Sequence, residues 1–138
     1  MDARARQALL LVVDDDVRTA RLLVRMLRDD GFQVELAVDG ASAIARLGRS
    51  PVPDALVTDI RMPYADGMSV ARYARSRRPE MAVFVVTGYP HLVCRGSSGD
   101  LSPPALVHTK PLDYQRLIDQ LRALEVAPSV VPASVRSQ

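Results

Sequence analysis

Three short runs of the sequence contain only apolar residues, and each run ends at a polar side chain. The runs are residues 8–13, 55–57 and 82–86. A strand with one face in water alternates apolar and polar residues, whereas a continuous apolar run is typical of a strand that helices cover on both faces. Because such strands occur in parallel sheets, the three runs restrict the chain to an α/β fold.

Helical patterns and two further strands fill the intervals between these runs. Residues 17–30 carry apolar side chains at helical spacing, and Gly31 ends the segment. Residues 32–38 and 105–109 are predicted to be strands, and further helices are predicted at residues 41–47, 68–78 and 113–124. This order predicts a doubly wound, five-stranded parallel sheet with right-handed crossovers.

The connection between the fourth and fifth strands departs from this rhythm. A helix is due in residues 89–104, but Gly96, Gly99 and the Pro103-Pro104 pair leave room for one or two turns at most. We therefore predict a degraded or missing fourth helix.

The bulk properties exclude several classes of protein. At 138 residues the chain has room for one domain, and its net charge of +2 comes with no Lys/Arg tract, which argues against direct binding of nucleic acid. Cys94 is the only cysteine, so no internal disulfide can form. The sequence has no signal peptide and no apolar run of membrane-spanning length, so we expect a cytoplasmic protein without membrane contact.

The first predicted helix carries a basic stripe. Arg18, Arg21, Arg25 and Arg28 follow a 3-4-3 spacing, which places the four side chains on one face. A solvated helix face is the simpler interpretation of this stripe, and a docking surface for an acidic partner is the alternative.

Side chains of chemical interest follow four of the five predicted strands. They are Asp14 and Asp15, then Asp59, Thr87 and Lys110. Asp59 alone would be interpreted as a helix cap or a turn residue. The carboxyl ends of parallel strands share one edge of the sheet, however, so these side chains are expected to converge on a single crevice.

The chemistry of this set indicates phosphoryl transfer. Three clustered carboxylates repel one another unless a cation neutralises them, and hard oxygen ligands suit Mg²⁺. The metal would let an anionic phosphoryl group approach Asp59, while the Thr87 hydroxyl and the Lys110 ammonium hold its oxygens. A nucleophilic carboxylate, a divalent metal, a hydroxyl and a lysine are the parts that phosphoryl transfer needs.

Four motifs then occur in a familiar order. They are Leu-Val-Val-Asp-Asp-Asp at the first strand, Asp-Ile-Arg-Met-Pro at the third, Val-Val-Thr-Gly at the fourth and Thr-Lys-Pro at the fifth. In this order and spacing they resemble the receiver domain of two-component response regulators. The resemblance covers residues 8–125, and it leaves an N-terminal extension (1–7) and a tail (126–138) that we expect to be disordered.

The resemblance implies a flavodoxin-like sheet in the order 2-1-3-4-5 and transfer of a phosphoryl group from a phosphohistidine to Asp59. It also implies Mg²⁺ bound by Asp14, Asp15, Asp59 and the backbone carbonyl of Arg61, and a cis bond at Lys110-Pro111. The chain would be a phosphoacceptor that assists its own phosphoryl transfer and dephosphorylation, not an enzyme with a separate substrate. The implied partners are a sensor histidine kinase or a histidine phosphotransfer protein, and a downstream protein target; a homodimer is compatible with the resemblance.

Two features depart from the family pattern. Receiver domains usually carry an aromatic switch residue three positions before the lysine, and here that position is Val107. Their fourth helix is the usual output face, and here it is predicted to be degraded. The acceptor chemistry should therefore be retained without the usual aromatic rotation. By the same resemblance, Arg61 and Tyr89 flank the site and tune how long the phosphoryl group survives.

Two other functions stay open on the sequence. A receiver-like interaction module could signal through protein contacts without phosphate, since the switch residue and the fourth helix are altered. A metal-dependent phosphohydrolase of the haloacid dehalogenase kind also begins with aspartates after a first strand, but it needs Thr or Val at the position of Arg18. His91 and His108 have no partners at metal-ligand spacing and are expected at the surface or at a strand end.

Overall fold

A five-stranded parallel sheet runs through the centre of the computed structural model, which describes residues 7–62, 66–89 and 101–126. The strands are β1 (Leu9–Val13), β2 (Gln33–Ala37), β3 (Ala55–Thr58), β4 (Ala82–Thr87) and β5 (Leu106–Thr109). Neighbouring strands follow the order β2-β1-β3-β4-β5, and every pairing is parallel. The predicted sheet and its strand order are confirmed, and β1 and β3 lie side by side with the predicted acids at their carboxyl ends.

Four helices in the described residues cover the two faces of the sheet. They are α1 (Val17–Asp29), α2 (Gly40–Leu47), α3 (Gly67–Arg77) and α4 (Tyr114–Val126). Each matches a predicted helix, with its ends shifted by at most two residues. Within the ranges that the structure describes, no helix has both the length and the apolar character needed to span a bilayer.

The prediction of a degraded or missing fourth helix concerns the connection between β4 and β5. Most of that prediction falls on residues 90–100, which lie outside the described residues. The described remainder of the connection, residues 101–105, forms no helix.

The apolar runs of the sequence are explained by two core clusters, one on each face of the sheet. β1 is buried along its whole length, and its alternate residues contribute to different clusters. Leu11 and Val13 pack with residues of α2 and α3, whereas Leu10 and Val12 pack with residues of α1 and α4. A central strand with helices on both sides therefore needs apolar residues at every position.

Each helix begins at an aspartate that caps its first turn. A carboxylate oxygen accepts a hydrogen bond from the backbone N–H three residues later in every case. These pairs are Asp16 with Thr19, Asp39 with Ser42, Asp66 with Ser69, and Asp113 with Arg116. Asp16 is the N-cap of α1.

The start of α3 lies against the loop that follows β3. The Gly67 N–H donates to the Ile60 carbonyl oxygen at 2.9 Å. A Cβ atom at Gly67 would lie 1.9 Å from the carbonyl oxygen of Asp59, far inside van der Waals contact. Glycine is therefore required at this position because the backbone of Asp59 occupies the space of a side chain.

Candidate functional site

The aspartates that follow β1 and β3 are positioned by the sheet itself. The Asp14 N–H donates to the Ala37 carbonyl of β2, and the Asp59 N–H donates to the Val13 carbonyl of β1, so both residues continue the hydrogen-bonding ladder. The Asp14 carboxylate accepts from the Asp16 N–H at 2.9 Å. These bonds fix Asp14 and Asp59 at the same edge of the sheet.

Asp14, Asp15 and Asp59 form one acidic cluster. One carboxylate oxygen from each residue lies within 4.8 Å of the others. Asp14 and Asp59 are half-buried and Asp15 is exposed. Burial raises the pKa of Asp14, and the charges of Asp59 and Asp15 raise it further, against the lowering effects of the Asp16 N–H and of Lys110. Burial first, and the like charges of Asp59 and Asp15 second, therefore disfavour the ionised form of Asp14.

Lys110 reaches this cluster from the loop after β5. Its Nζ lies 3.0 Å from Oδ2 of Asp59, and Oδ1 of Asp59 accepts from the Ile60 N–H at 2.7 Å. Burial alone would lower the pKa of Lys110, but the hydrogen bond and charge of Asp59, with the charges of Asp14 and Asp16, raise it. Both oxygens of Asp59 thus have a donor, and one donor is a cation.

Thr87 lies at the end of β4, beside Lys110. Its side chain is fully buried, and its Oγ1 accepts from the Tyr89 N–H at 2.9 Å. Because that bond uses a lone pair, the hydroxyl hydrogen is left to donate. The Thr87 carbonyl accepts from the Lys110 N–H at 2.9 Å, so the backbone holds these two predicted site residues side by side. A Cβ atom at Gly88 would meet nothing within 4 Å, so the approach beside Thr87 is open.

Arg61 and Tyr89 stack above the loops that carry Asp59 and Thr87. The Arg61 guanidinium lies 4.7 Å from the centre of the Tyr89 ring, which is a cation–π contact. This contact joins the loop after β3 to the loop after β4. The sequence placed both residues beside the site but gave no sign that they touch.

A cavity of about 250 Å³ adjoins the acids. Its walls include Asp14, Asp59 and Lys110, together with apolar residues of β1, β3 and β4. Thr19 and Leu23 of α1 close one side. The charged groups therefore stand at the border of an apolar space, which strengthens their electrostatic interactions.

The donor set suits a hard divalent cation. Three carboxylates supply oxygen ligands, and Mg²⁺ favours oxygen ligands while keeping part of its water shell. Because the pKa of Asp14 is raised, its ionised form is disfavoured, and a divalent cation bound to the cluster would stabilise that form. The residues present therefore fit a magnesium site.

Other sequence predictions have mixed outcomes. The Lys110-Pro111 bond is cis, as the resemblance implied. Val107 packs against the core cluster that contains Val85 and is partly buried. His91 lies outside the described residues. The sequence predicts His108 at the surface or at a strand end. It is the penultimate residue of β5, but the surface position is wrong, because 1% of its surface is exposed and its Nε2 pairs with Gln120 Oε1 at 2.7 Å.

Sequence reasoning missed one signal at the site. Lys110 is the only lysine among 138 residues, whereas arginine occurs throughout the chain. A lysine ammonium is a compact point charge, unlike the planar guanidinium. The one position at which the chain has a lysine is thus the position of the cation that contacts Asp59.

Comparison with known proteins identifies the family. The family model described as the response regulator receiver domain matches residues 10–122. The response regulator MprA of Mycobacterium avium (strain 104) is 36% identical over 115 residues, which are 83% of this chain and 50% of that protein. MprA of Mycobacterium leprae (strain TN) shows the same identity and the same coverage. The chain therefore spans about half the length of the curated relatives it matches.

Solved structures share the fold. The response regulator receiver protein from Sinorhizobium medicae WSM419 is 30% identical, with a TM-score of 0.76 over 88% of this chain and 97% of that chain. The response regulator protein TrrA from Thermotoga maritima, solved in complex with Mg²⁺–BeF, is 25% identical, with a TM-score of 0.75 over 86% of this chain and 99% of that chain. With its sheet order, its acidic cluster and a family model that matches most of its length, this chain belongs to the response regulator receiver domains of two-component systems.

Proposed function

We propose that Asp59 accepts a phosphoryl group from the phosphohistidine of a sensor histidine kinase or a histidine phosphotransfer protein, with Mg²⁺ bound beside it. The observation that carries the proposal is the meeting of Asp14, Asp15 and Asp59 with Lys110 at one edge of the sheet. A carboxylate nucleophile, two further acids and a cation in contact are the groups that this transfer requires. The proposed domain spans residues 8–125.

Asp59 is the nucleophile in this mechanism. The Ile60 N–H holds one carboxylate oxygen, so the carboxylate keeps a fixed direction toward an incoming phosphorus atom. A carboxylate oxygen attacks phosphorus, the bond from phosphorus to the donor imidazole breaks, and the imidazole leaves as a neutral ring. The product is an aspartyl phosphate on Asp59.

The remaining residues stabilise charge. Asp14, Asp15 and Asp59, with the backbone carbonyl of Arg61, would hold Mg²⁺, which supplies positive charge next to the phosphoryl oxygens. Lys110 would exchange its bond to Asp59 for a bond to a phosphoryl oxygen. The Thr87 hydroxyl, whose oxygen already accepts from the Tyr89 N–H, would donate its hydrogen to another. Together these groups would balance the negative charge of the phosphoryl group on Asp59, and the backbone of the sheet would not need to move.

Dephosphorylation would occur at the same site. Water attacks the phosphorus atom of the aspartyl phosphate, the bond from phosphorus to the carboxylate oxygen breaks, and inorganic phosphate leaves. The free carboxylate returns, so the domain would assist its own reset without a separate substrate. The Arg61–Tyr89 stack spans two of the loops around Asp59. We infer that this stack limits access of water and lengthens the lifetime of the phosphoryl group.

The output of the phosphorylated domain is proposed to pass through contacts with a downstream protein. Val107 packs in the core and has no aromatic ring to rotate. Signalling would therefore depend on the charge and position of the loops around Asp59. The phosphate-independent interaction module is the weaker alternative, because the complete acceptor set is brought together.

Phosphorylation by a small-molecule donor tests the proposal. Incubation with acetyl phosphate and Mg²⁺ should add one phosphoryl mass to the intact protein, and Asp59→Asn should remain unmodified under the same conditions. Beryllofluoride should bind only when Mg²⁺ is present. Equal phosphorylation of Asp59→Asn would refute the assignment of the acceptor, and a parent protein that takes up neither reagent would favour the interaction module.

A further inference from the structure

A second, basic cleft lies between α1 and the edge strand β2. Its volume is about 480 Å³, and the residues that line it are Arg21, Val24, Arg25, Arg28, Asp29 and Leu36. Three of these six residues are arginines from successive turns of α1. We call this space the basic cleft.

The basic cleft keeps an excess of positive charge, because three arginines and one acid, Asp29, line it. Arg21 and Arg25 are exposed and form no ion pair with any residue that the structure describes. Arg28 donates from Nη2 to the Val34 carbonyl oxygen at 2.7 Å, a bond to a neutral group. The first turn of α1 has no acidic residue, and Asp29 is the only acid in the helix. An anion in the cleft could therefore pair with Arg21 and Arg25, neither of which is already bonded to an acid in the described residues.

The basic cleft is separate from the acceptor site. α1 presents Thr19 and Leu23 to the cavity beside Asp59, whereas it presents Arg21 and Arg25 to the basic cleft. The two spaces have no lining residue in common. At 100° per residue these two pairs lie on opposite flanks of the helix. A partner in the basic cleft can thus be bound while Asp59 stays accessible.

We propose that the basic cleft binds an acidic segment of a partner protein, through carboxylates on Arg21 and Arg25. A planar guanidinium pairs with a carboxylate through two parallel hydrogen bonds. The buried Val24 and the partly exposed Leu36 add aliphatic side chains to the lining between the charges. Such a mixture of cations and aliphatic groups fits a peptide segment with acidic and apolar side chains.

Other occupants fit less well. The lining contains no aromatic residue on which a nucleic acid base could stack. A membrane surface would be met by a flat amphipathic face, whereas these arginines line a cleft. The chain's own segments outside the described residues contain two acids in all, Asp2 and Asp100, so they supply no acidic stretch. These segments are therefore not the occupant, and an acidic protein segment fits the cleft better than a nucleic acid or a membrane surface.

Peptide binding by matched variants tests this inference. The probe is a fluorescein-labelled peptide in which glutamates are interspersed with alanine and leucine, titrated at physiological salt and followed by fluorescence anisotropy. Arg21→Gln/Arg25→Gln should weaken binding by about tenfold. The control, Arg49→Gln/Arg116→Gln, removes the same charge from two exposed arginines elsewhere and should change binding by less than about twofold. Backbone amide shifts on peptide addition should concentrate in α1 and β2.

Several outcomes would overturn the inference. Failure of the peptide to bind the parent, or equal weakening in the two double variants, would remove the basic cleft as a site. Tighter binding of a single-stranded DNA or of phosphatidylserine vesicles, with the same dependence on Arg21 and Arg25, would replace the protein partner by that ligand. A dimer of the parent that the double variant loses would assign the cleft to a second copy. Phosphorylation of Asp59 by acetyl phosphate should be equal in all three proteins, so the inference can fail without the proposed function failing.

Discussion

Nζ of Lys110 lies 3.0 Å from Oδ2 of Asp59 and joins two loops that are 51 residues apart in sequence. Oδ1 of the same carboxylate accepts from the Ile60 N–H, so each oxygen of Asp59 has its own donor. Because the chain has no other lysine, this ε-amine can be observed without interference from other lysine side chains.

Removal of the charge at Asp59 should lower the pKa of Lys110. Burial lowers the pKa of Lys110, but in the parent the hydrogen bond and charge of Asp59, together with the charges of Asp14 and Asp16, outweigh it. Asp59→Asn removes one of these charges, so burial should then lower the pKa further. Reductive ¹³C-methylation followed by an NMR pH titration measures the change on one side-chain resonance. Since the folded pKa is raised, the stability contributed by the pair is fully present below the usual lysine pKa of about 10.4 and is lost as pH rises through the folded pKa. An unchanged titration in Asp59→Asn would contradict the coupling.

Lys110→Ala should separate metal binding from phosphoryl transfer. The three carboxylates that would hold Mg²⁺ are kept, so the affinity for Mg²⁺, measured by calorimetry, should persist. The rate of phosphorylation by acetyl phosphate should fall by about a hundredfold, because one cation on the phosphoryl oxygens is lost. Lys110→Arg retains the charge in a planar group and serves as the control. Loss of Mg²⁺ binding in Lys110→Ala would show that the lysine supports the site itself.

Asp14→Asn should stabilise the metal-free domain at neutral pH. The pKa of Asp14 is raised in the folded state, so the folded protein binds its proton more tightly than the unfolded chain does. The ionised form therefore costs stability at pH 7, and this cost declines as pH falls through the folded pKa. Urea midpoints should be higher for Asp14→Asn at pH 7 and should converge with the parent below about pH 4. A lower midpoint for the variant at pH 7 would contradict a destabilising effect of the buried, ionised carboxylate and its acidic neighbours. Binding of Mg²⁺ should be weaker in the variant, because one carboxylate ligand is lost.

Gly67→Ala should destabilise the fold from a position outside the core. Its added methyl group would collide with the Asp59 carbonyl oxygen, which lies 1.9 Å from the Cβ position. We expect a loss of about 1–3 kcal/mol in the free energy of unfolding. Gly88→Ala is the matched control, because its Cβ would meet nothing within 4 Å, and it should change that free energy by less than about 1 kcal/mol. Equal urea midpoints for the two variants would exclude the steric argument.

The stack of Arg61 on Tyr89 should lengthen the lifetime of the phosphoryl group. Arg61→Ala and Tyr89→Ala should each speed the hydrolysis of phosphorylated Asp59, and the double variant should be no faster than the faster single variant. A coupling of about 0.5–1 kcal/mol is expected for an exposed cation–π contact, which is about a two- to fivefold change in rate. Release of inorganic phosphate measures the four rates, and Tyr89→Phe, which keeps the ring, should resemble the parent. Additive effects of the two alanines would show that the residues act separately.

The strands and the site were predictable because each depends on a local pattern. A fully apolar run can only be a strand or helix buried on all sides, and a polar residue at the end of a parallel strand lies at the ligand-binding edge. That rule placed Asp14, Asp59 and Lys110 together without structural information. The contacts that escaped prediction depend on how elements pack in three dimensions. The partner of His108 is a glutamine on α4, and the requirement for glycine at Gly67 comes from the carbonyl of Asp59 at the start of the same β3–α3 connection.

The single lysine also defines how this chain responds to amine chemistry. An amine-selective acylating reagent that spares the N-terminal amine has one lysine side chain to modify in this sequence, and that side chain is hydrogen-bonded to Asp59. Acylation would remove the positive charge of Lys110 and leave the Asp59 carboxylate without its ion pair. A reagent that modifies many lysines in other proteins would modify a lysine of this chain at one atom only, Nζ of Lys110, beside Asp59.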